Sequence, residues 1–436
     1  MNCRKPPIEW STVNLGSLIN LSTGKLDANA ADINGQYPFF TCAESISQIN
    51  TWAFDTSAVI LAGNGSFSIK RYTGKFNAYQ RTYIIEPVLI KIDFLYWVIR
   101  GNIISITMNG RGSTIPYIRK GDITDIQISL PPLAEQKIIA DKLDDLFARV
   151  ESIKTRLENI PEILKKFRQS VLNAAVSGKL TDDWRKNNSY EEWKKLQLID
   201  VIESKPRNGY SPKGVDYKTP VKNLTLSAIT QGYFSKDCFK YVDIEVPETS
   251  HLWIKKDDIL IQRANSIDYV GISAIYRGDD DKYIYPDLIM KVRANDRIIT
   301  EYLHYCLLSE DTREYFRQNA SGTTGNMPKI NQGTVSAVSI KLPPLPEQIE
   351  IVRRAEKIFN FSESIERLTG HALSQINKLT QSILAKAFRG ELTAQWREEN
   401  PELISGINSA EALLEKITAE KLAVGTVKKR AKKTSH

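Results

Sequence analysis

Two polar stretches carry side chains that could bind a nucleic acid. The first combines amide, hydroxyl, guanidinium and ammonium groups on Asn64, Ser66, Lys70, Arg71, Asn77, Tyr79, Gln80 and Arg81. Amides can pair with adenine and guanidinium groups with guanine in the major groove, whereas lysines and hydroxyls can bind phosphates. The alternative is a set of solvated turns without a ligand. We expect the stretch as a set to contact DNA, without an assignment of bases to single residues.

A second stretch repeats this chemistry further along the chain. It contains Arg263, Asn265, Ser266, Lys291 and Arg293. Two loops rich in Gly, Ser and Thr add further candidates, namely Arg111, Ser113 and Thr114 in the first loop and Ser321, Thr323, Thr324, Asn326 and Lys329 in the second. Backbone amides of the second loop could approach a phosphate. These residues complete the predicted DNA-binding set.

No catalytic constellation accompanies these residues. Gly24-Lys25 and Gly178-Lys179 are both followed by Leu, so neither pair belongs to a phosphate-binding loop. A GxSxG nucleophile motif is absent, and both Pro-Pro pairs of the repeats follow Leu, unlike the motif of an amino methyltransferase. The four cysteines and four histidines are scattered, which argues against a metal site. The sequence predicts binding surfaces and no active site.

The elements that position these residues come from an internal repeat. Leu130–Arg185 and Leu342–Arg397 align without a gap, and each runs from Leu-Pro-Pro through a long helical pattern to Leu-Thr-x-x-Trp-Arg. The sequence before each copy also corresponds, because an apolar strand at Ser57–Leu61 or Asp258–Arg263 precedes a polar turn. We therefore predict two copies of a mixed α/β (α+β) globule followed by a helix. The predicted segments are globules 1–129 and 186–341, helical regions 130–185 and 342–400, and a tail 401–436.

Each helical region carries an apolar seam with alternating spacings of three and four residues, which is typical of a coiled coil. The first seam contains Leu143, Leu146, Val150, Ile153, Leu157, Leu164 and Phe167. The second, weaker seam contains Ile358, Ile365, Ile376, Leu379 and Ile383. We predict that the two helices pair as an antiparallel coiled coil about a pseudo-two-fold axis; the alternative is that each packs on its own globule. Pro161 should kink or locally break the first helix, and Gly370 lies beside the second seam.

Composition sets the broad class of the protein. The 436 residues carry a formal net charge of +8, and the tail ends in the basic run Lys428–Lys433. A basic chain suits a polyanionic partner, and the tail either contacts phosphates or keeps the chain soluble. No apolar run is long enough for a membrane span, and the start of the chain has no signal-peptide pattern. We expect a cytoplasmic protein without a membrane partner.

The repeated motifs resemble a known family. LPPLAEQKIIADKLD, FRQSVLNAAVSGKLTDDWR and LTQSILAKAFRGELTAQWREENPELISG are similar to the conserved regions of specificity (S) subunits of Type I restriction–modification systems, particularly the enteric IA type. The resemblance covers nearly the full length. It implies two target recognition domains, each of which reads one half of a bipartite, asymmetric target in double-stranded DNA. It also implies helices that set the spacer and dock two methyltransferase (modification) subunits, which restriction (translocase and endonuclease) subunits then join.

The resemblance further implies that this chain performs no catalysis and holds no cofactor. S-adenosylmethionine and ATP are expected on the partner subunits. Two other interpretations stay open at this point. The chain could be an S-like DNA-binding subunit of another defence system, or a coiled-coil scaffold that does not contact DNA.

Overall fold

The computed structural model describes residues 6–108, 116–188, 192–322 and 327–433, with side chains described as far as Val424. The chain divides into two compact units. Unit 1 combines residues 1–157 with residues 371–436, and unit 2 is the continuous stretch 158–370. Both long helices therefore contribute to both units. The segment boundaries predicted from the sequence stay a prediction, because the two compact units are divided within the long helices and so do not test those boundaries.

Among its described residues, the first half of the chain contains eight strands and six α-helices. In chain order they are β1 Ser11–Asn14, α1 Leu15–Leu18, β2 Ile19–Thr23, β3 Tyr37–Phe40, β4 Ser47–Ile49, β5 Phe54–Ala62, β6 Ile69–Ala78, β7 Thr82–Pro87, α2 Ile92–Gly101, α3 Ile103–Thr107, α4 Lys120–Thr124, β8 Gln127–Leu130, α5 Leu133–Val176 and α6 Asp182–Asn188. A six-stranded sheet of order β2-β7-β5-β6-β3-β4 forms the centre of unit 1.

The second half, in the part that the structure describes, has nine strands and six α-helices. They are β9 Lys194–Gln197, β10 Arg207–Asn208, β11 Gly214–Val215, β12 Val221–Leu224, β13 Phe239–Val242, β14 Ile259–Gln262, β15 Ser273–Ile275, β16 Ile289–Val292, α7 Thr300–Leu308, α8 Glu310–Gln318, α9 Gln332–Ser336, β17 Ser339–Leu342, α10 Leu345–Phe388, α11 Ala394–Glu399 and α12 Ala410–Lys433. Unit 2 contains a four-stranded sheet of order β10-β16-β14-β15 and a three-stranded sheet of order β11-β13-β12.

The predicted central strands are confirmed in both units. Val59–Leu61 lie in β5 and are fully buried, as are Ile259–Ile261 in β14. Continuous apolar runs of this kind are expected where both faces of a strand are covered. In unit 1 the covering element is α2, whose residues Phe94, Leu95, Trp97 and Val98 pack into the core with the central strands.

A short antiparallel ladder closes each globule before its long helix begins. In unit 1, β1 pairs with β8, and Val13 lies opposite Ile128. In unit 2, β9 pairs with β17, and Leu196 lies opposite Ile340. The Pro-Pro pair follows directly and cannot continue a ladder, because proline has no amide hydrogen. The repeat thus places a strand end and a helix start at the same point of each unit.

The two long helices pack against each other with opposite chain directions inside each unit. In unit 1 the start of α5 and the end of α10 share a core that includes Ile139, Leu143, Ile383 and Ala387. In unit 2 the end of α5 and the start of α10 share Val171, Leu172, Ile351 and Ala355. The predicted fold class, with two mixed α/β globules and an antiparallel helix pair, is confirmed.

Two details of the predicted helices are wrong. The local break predicted at Pro161 does not occur, since α5 runs without interruption from Leu133 to Val176; the kink predicted there stays a prediction. A proline removes one backbone hydrogen bond, and neighbouring seam residues such as Leu164 stay buried. In addition, Ile153, Phe167 and Leu379 are not buried seam residues, since they are 51%, 43% and 50% exposed. A regular heptad count drifts relative to a helix with 3.6 residues per turn, so some predicted seam positions rotate outward.

Candidate nucleic-acid interface

In unit 1 the predicted polar loops meet at one end of the six-stranded sheet. The turn after β5 is held from two sides: the Gly63 amide donates to the Arg81 carbonyl at 2.8 Å, and the Ile118 amide donates to the Gly63 carbonyl at 3.0 Å. Asn64 forms an isolated bridge with Tyr117. Three loops that are distant in sequence therefore converge, and we call this place the loop end of unit 1.

A cavity of about 290 Å³ opens at the loop end of unit 1. Its lining includes Thr23, Gln80, Arg81 and Tyr117. Among the described residues none binds the exposed Arg81 guanidinium. A guanidinium, an amide and two hydroxyls around one opening are suited to hydrogen bonding with base edges and phosphates. Gly63 is required here, because a Cβ atom at that position would lie 2.5 Å from the Arg81 carbonyl oxygen.

Unit 2 repeats this arrangement with different side chains. The Ile330 amide donates to the Arg263 carbonyl at 2.9 Å, and Ala264 forms a bridge with Lys329. The Asn265 amide donates to the Pro328 carbonyl at 3.3 Å. The predicted correspondence between the turns after the two central strands is thereby confirmed. We call this place the loop end of unit 2, and it contains Arg263, Asn265, Ser266, Ser321 and Lys329.

Two cations of the first predicted set are already paired within unit 1. The Arg71 guanidinium forms ion pairs with Asp93 at 2.9 Å and with Asp144 of α5 at 3.0 Å. Lys70 donates to the Ala43 carbonyl at 2.7 Å, and burial lowers the pKa of its ammonium group. Both side chains brace the globule, so their assignment as DNA contacts is weakened.

Asn77 is a correction to the predicted set. It is 4% exposed, and its amide nitrogen lies 3.4 Å from the Thr51 carbonyl oxygen, to which it donates. Its side-chain oxygen accepts the Ala78 amide at 3.0 Å. A side chain enclosed in this way cannot reach DNA, so the predicted contact is wrong.

Lys291 and Arg293 are a second correction. They lie at the opposite end of the four-stranded sheet from the loop end of unit 2, near the start of β14. Both pair with the buried carboxylate of Asp258, at 3.2 Å and 2.7 Å respectively. Burial lowers the pKa of Lys291, although the neighbouring Asp258 opposes this shift. Their charges neutralise a buried carboxylate, so the structure does not bring them to the predicted binding surface.

The remaining predicted contacts divide by position. Ser66 donates to the Cys42 carbonyl at 3.2 Å and stays near the loop end of unit 1, while Tyr79 is partly exposed beside Gln80. The other six residues lie outside the described residues, namely Arg111, Ser113, Thr114, Thr323, Thr324 and Asn326. Within the described ranges, no group of His, Cys, Asp and Glu side chains could hold a metal ion. Among the described helices, none is long and apolar enough to cross a membrane.

The Glu of the first Pro-Pro-Leu-x-Glu-Gln motif, which recurs in the second copy, binds the end of the second repeat copy. Glu135 is fully buried in unit 1. Its carboxylate accepts hydrogen bonds from the Trp10 indole at 2.8 Å, from Thr393 at 2.6 Å and from Arg397 at 2.5 Å. Arg397 also donates to the Gly390 carbonyl at 2.8 Å. We call this group of Trp, Glu, Thr and Arg a clasp.

Unit 2 builds the same clasp in the reverse sense. The buried Glu347 of the second motif accepts hydrogen bonds from Trp193 at 2.9 Å, from Thr181 at 2.8 Å and from Arg185 at 3.0 Å. Gly178 takes a left-handed conformation with φ of 82°, and a Cβ atom there would lie 2.5 Å from the Arg185 guanidinium. The repeated Gly is therefore required both by the backbone and by the clasp.

The Gln of each motif contacts the start of another helix in the same unit. Gln136 accepts the amide of Lys91, which precedes α2, at 3.0 Å, and it donates to the Pro131 carbonyl at 3.0 Å. Gln348 accepts the amide of Ile299, which precedes α7, at 2.8 Å, and it donates to the Pro343 carbonyl at 2.9 Å. Sequence reasoning found both motifs but missed these roles. The available clue in the sequence was that Trp10 and Trp193 stand at matching positions before the two motifs whose buried glutamates they bind.

Comparisons with known proteins agree with this architecture. The family model of the Type I restriction modification DNA specificity domain matches residues 7–162 and 190–373. The chain is 48% identical to the Type I restriction enzyme EcoDI specificity subunit of Escherichia coli, over all of both chains. It is 41% identical to the EcoKI specificity subunit of Escherichia coli K12, over 74% of this chain and 70% of that relative.

Solved structures share the fold at low sequence identity. One solved chain comes from work on the structural basis of complex assembly and conformational transition of the type I R-M system. It superposes with a TM-score of 0.67 and 18% identity, covering 89% of this chain and all of that one. The HsdS subunit from Thermoanaerobacter tengcongensis superposes with a TM-score of 0.53 and 17% identity, covering 89% of this chain and 99% of that subunit.

Proposed function

Because the chain belongs to the Type I restriction–modification DNA specificity family and is a non-catalytic DNA-recognition subunit, we propose that its two units read the two halves of one bipartite DNA target. Each unit would insert its loop end into the major groove. The side chains at the two loop ends differ, so the two half-sites would differ in sequence. A scaffold without DNA readout does not fit this family.

The observation that carries this proposal is the repetition of one frame around unlike residues. Both units have the same clasp, the same closing ladder and the same hydrogen bond from Ile118 or Ile330 to the turn after the central strand. At the loop ends, however, equivalent positions carry different residues: Gly63 of unit 1 corresponds to Arg263 of unit 2 by its hydrogen bond, and the bridged pair Asn64–Tyr117 corresponds to Ala264–Lys329. A constant frame with variable contact residues is suited to a protein that reads two different sequences.

The long helices would set the distance between the half-sites. Each contains 44 residues, which corresponds to about 66 Å at a rise of ~1.5 Å per residue. Phosphate contacts would hold each unit on the duplex, and base contacts would select the sequence. The helices would thereby fix which grooves can be occupied together.

The partners of this subunit would be modification and restriction subunits, with two modification subunits in each complex. Large apolar side chains stay exposed on the long helices, including Ile163 on α5 and Phe361 and Leu368 on α10. Exposed apolar residues at helical spacing are suited to a helical partner. S-adenosylmethionine and ATP would be bound by those subunits, and the methyltransferases would have to flip an adenine out of each half-site to reach its amino group.

An exchange of residues 10–129 with those of another family member tests the proposal. We expect the methylated motif of the complex to change in one half-site only, because the exchange replaces the loop end of unit 1 and leaves that of unit 2 intact. Sequencing of methylated DNA from cells that carry the complex measures this. The matched control exchanges residues 193–341 and should change the other half-site. A change in both halves after either exchange would contradict the assignment.

A further inference from the structure

The segment from Tyr210 to Lys218, here called the 210–218 segment, lies beside the loop end of unit 2. The Tyr210 amide donates to the Tyr285 carbonyl at 2.9 Å, and Ser211 hydrogen-bonds to the Asp287 carboxylate. Arg263, which belongs to the loop end, donates to the carbonyl of the same Asp287 at 3.3 Å. The segment and the candidate base-reading loop are thus joined through one residue.

Side chains of neighbouring strands hold the backbone of the 210–218 segment by hydrogen bonds. Asn223 donates to the Tyr210 carbonyl at 2.8 Å, and Lys240 donates to the Pro212 carbonyl at 2.7 Å. Gly209 allows the close approach, since a Cβ atom there would lie 2.0 Å from the Tyr285 carbonyl oxygen. A ligand that bound this segment would therefore find its backbone already ordered, which lowers the entropic cost of binding.

The tips of the segment, in contrast, are exposed. Among the described residues none forms a hydrogen bond or an ion pair with the ammonium groups of Lys213 and Lys218, both of which are exposed. Tyr210 and Tyr217 are 54% and 53% exposed. A cavity of about 630 Å³ opens between the segment and the end of β13. Lys291, which the sequence analysis assigned to DNA binding, forms an ion pair with Asp258. Lys213 and Lys218, in contrast, form no ion pair with any described residue.

Three carboxylates lie near the segment, and within the described residues none of them forms an ion pair with Lys213 or Lys218. Asp216 is exposed within it, and Asp243 at the end of β13 accepts a hydrogen bond from the Tyr217 hydroxyl at 2.7 Å. Asp287 is engaged by Ser211, as described above. The corresponding chain in unit 1 leaves β2 at Gly24, where a Cβ atom would also meet a carbonyl, at 2.1 Å. There the chain continues with Lys25, Asp27 and Asp32, so the basic character is particular to unit 2.

We propose that the 210–218 segment binds the DNA phosphate backbone beside the second half-site, with Lys213 and Lys218 as the phosphate contacts. This inference rests on the proposed function of unit 2 and adds a contact that positions the duplex without selecting its sequence. An ammonium group is a mobile point charge, suited to a phosphate and poorly suited to discriminating one base from another. The ordered backbone presents both charges next to the loop that would read the bases.

The test uses the full complex with its modification subunits and a duplex that carries its methylated motif. We expect the double variant Lys213→Ala/Lys218→Ala to raise Kd about tenfold at moderate salt and to reduce the slope of log affinity against log salt by about 2, since each lost phosphate contact removes ~0.9 from that slope. Fluorescence anisotropy over a salt series measures both. The methylated motif should stay unchanged in sequencing, because neither lysine selects a base.

The matched control is Lys255→Ala/Lys256→Ala, which removes two exposed lysines at the opposite end of the four-stranded sheet. It should bind as the wild type does. Unchanged affinity and salt slope in the Lys213/Lys218 variant would overturn the inference, and so would an equal loss in the control or an altered half-site. A wild-type complex that bound DNA without any preference for the motif would instead overturn the proposed function. Thermal unfolding of the free chains verifies that both variants are folded.

Discussion

Glu135 shows how one buried charge can hold distant parts of the chain together. A buried carboxylate is costly unless hydrogen-bond donors surround it, and Trp10, Thr393 and Arg397 supply three. These donors come from the start and from near the end of the chain. Loss of any one of them leaves the others around an incompletely satisfied group, so the clasp favours a single arrangement of its segments.

The first prediction concerns this carboxylate. Glu135→Gln should lower the free energy of unfolding of unit 1 by about 3 kcal/mol, because Arg397 loses its buried counter-charge and the new amide meets other donors. Hydrogen exchange should become faster around α1 and at the start of α5, with unit 2 unaffected. Glu347→Gln is the matched control and should affect unit 2 alone. Equal loss of protection in both units after either change would show that the clasps do not act locally.

Sequence reasoning at the scale of single residues succeeded where the backbone fixed the side chain and failed where a partner decided its role. Asn64 and Asn265 were placed correctly in corresponding turns because each follows an apolar strand. The ion pairs of Arg71 and Arg293 were missed because their carboxylate partners, Asp144 and Asp258, lie far away in the sequence. A sequence states the charge of a side chain, and only the fold states whether that charge is already neutralised.

At the scale of elements, the long helices were the most predictable part of the chain. Their period and their duplication indicated both their existence and their pairing. The six-stranded sheet was harder to predict, because its strand order β2-β7-β5-β6-β3-β4 depends on pairings between segments that are distant in sequence. Seam residues such as Ser362 are also informative, because this polar residue is fully buried where the heptad pattern expects an apolar one. Local periodicity therefore predicts the helix, while the partner helix decides which positions are covered.

The second prediction concerns helix length. Insertion of four residues, about one turn, into the middle of both α5 and α10 should lengthen the unread spacer of the DNA target and leave both half-sites unchanged. An insertion adds about 6 Å at ~1.5 Å per residue, and neither loop end is altered. Sequencing of methylated DNA gives the motif directly. A control insertion in α5 alone should impair assembly, because the seam would lose its register. New half-sites with an unchanged spacer would contradict the model of a measuring helix.

At the scale of the whole molecule, the chain does not fold as a simple succession of segments. Unit 1 takes its clasp from α11 and the preceding turn, and it also packs α12 through Ala410, Leu413 and Ile417. Lys421 of α12 donates to the Gly16 and Ile19 carbonyls at 2.7 Å and 2.9 Å. Unit 2 has a clasp, but its described residues contain no counterpart of α12. The two units therefore depend differently on the end of the chain.

The third prediction follows from this difference. A chain that ends at Phe388 should lose hydrogen-exchange protection throughout the unit 1 core, because Glu135 would stay buried without Thr393 and Arg397. Unit 2 should keep its protection, since Thr181 and Arg185 still bind Glu347. A chain that ends at Asn400 retains the clasp and lacks α12, so it should lose protection mainly at α1 and β2. Addition of a peptide spanning residues 389–436 should restore protection to the shorter chain. Loss of protection in unit 2 to the same extent as in unit 1 would contradict this prediction. It would mean that the end of the chain stabilises both units, and that each clasp does not stabilise its own unit alone.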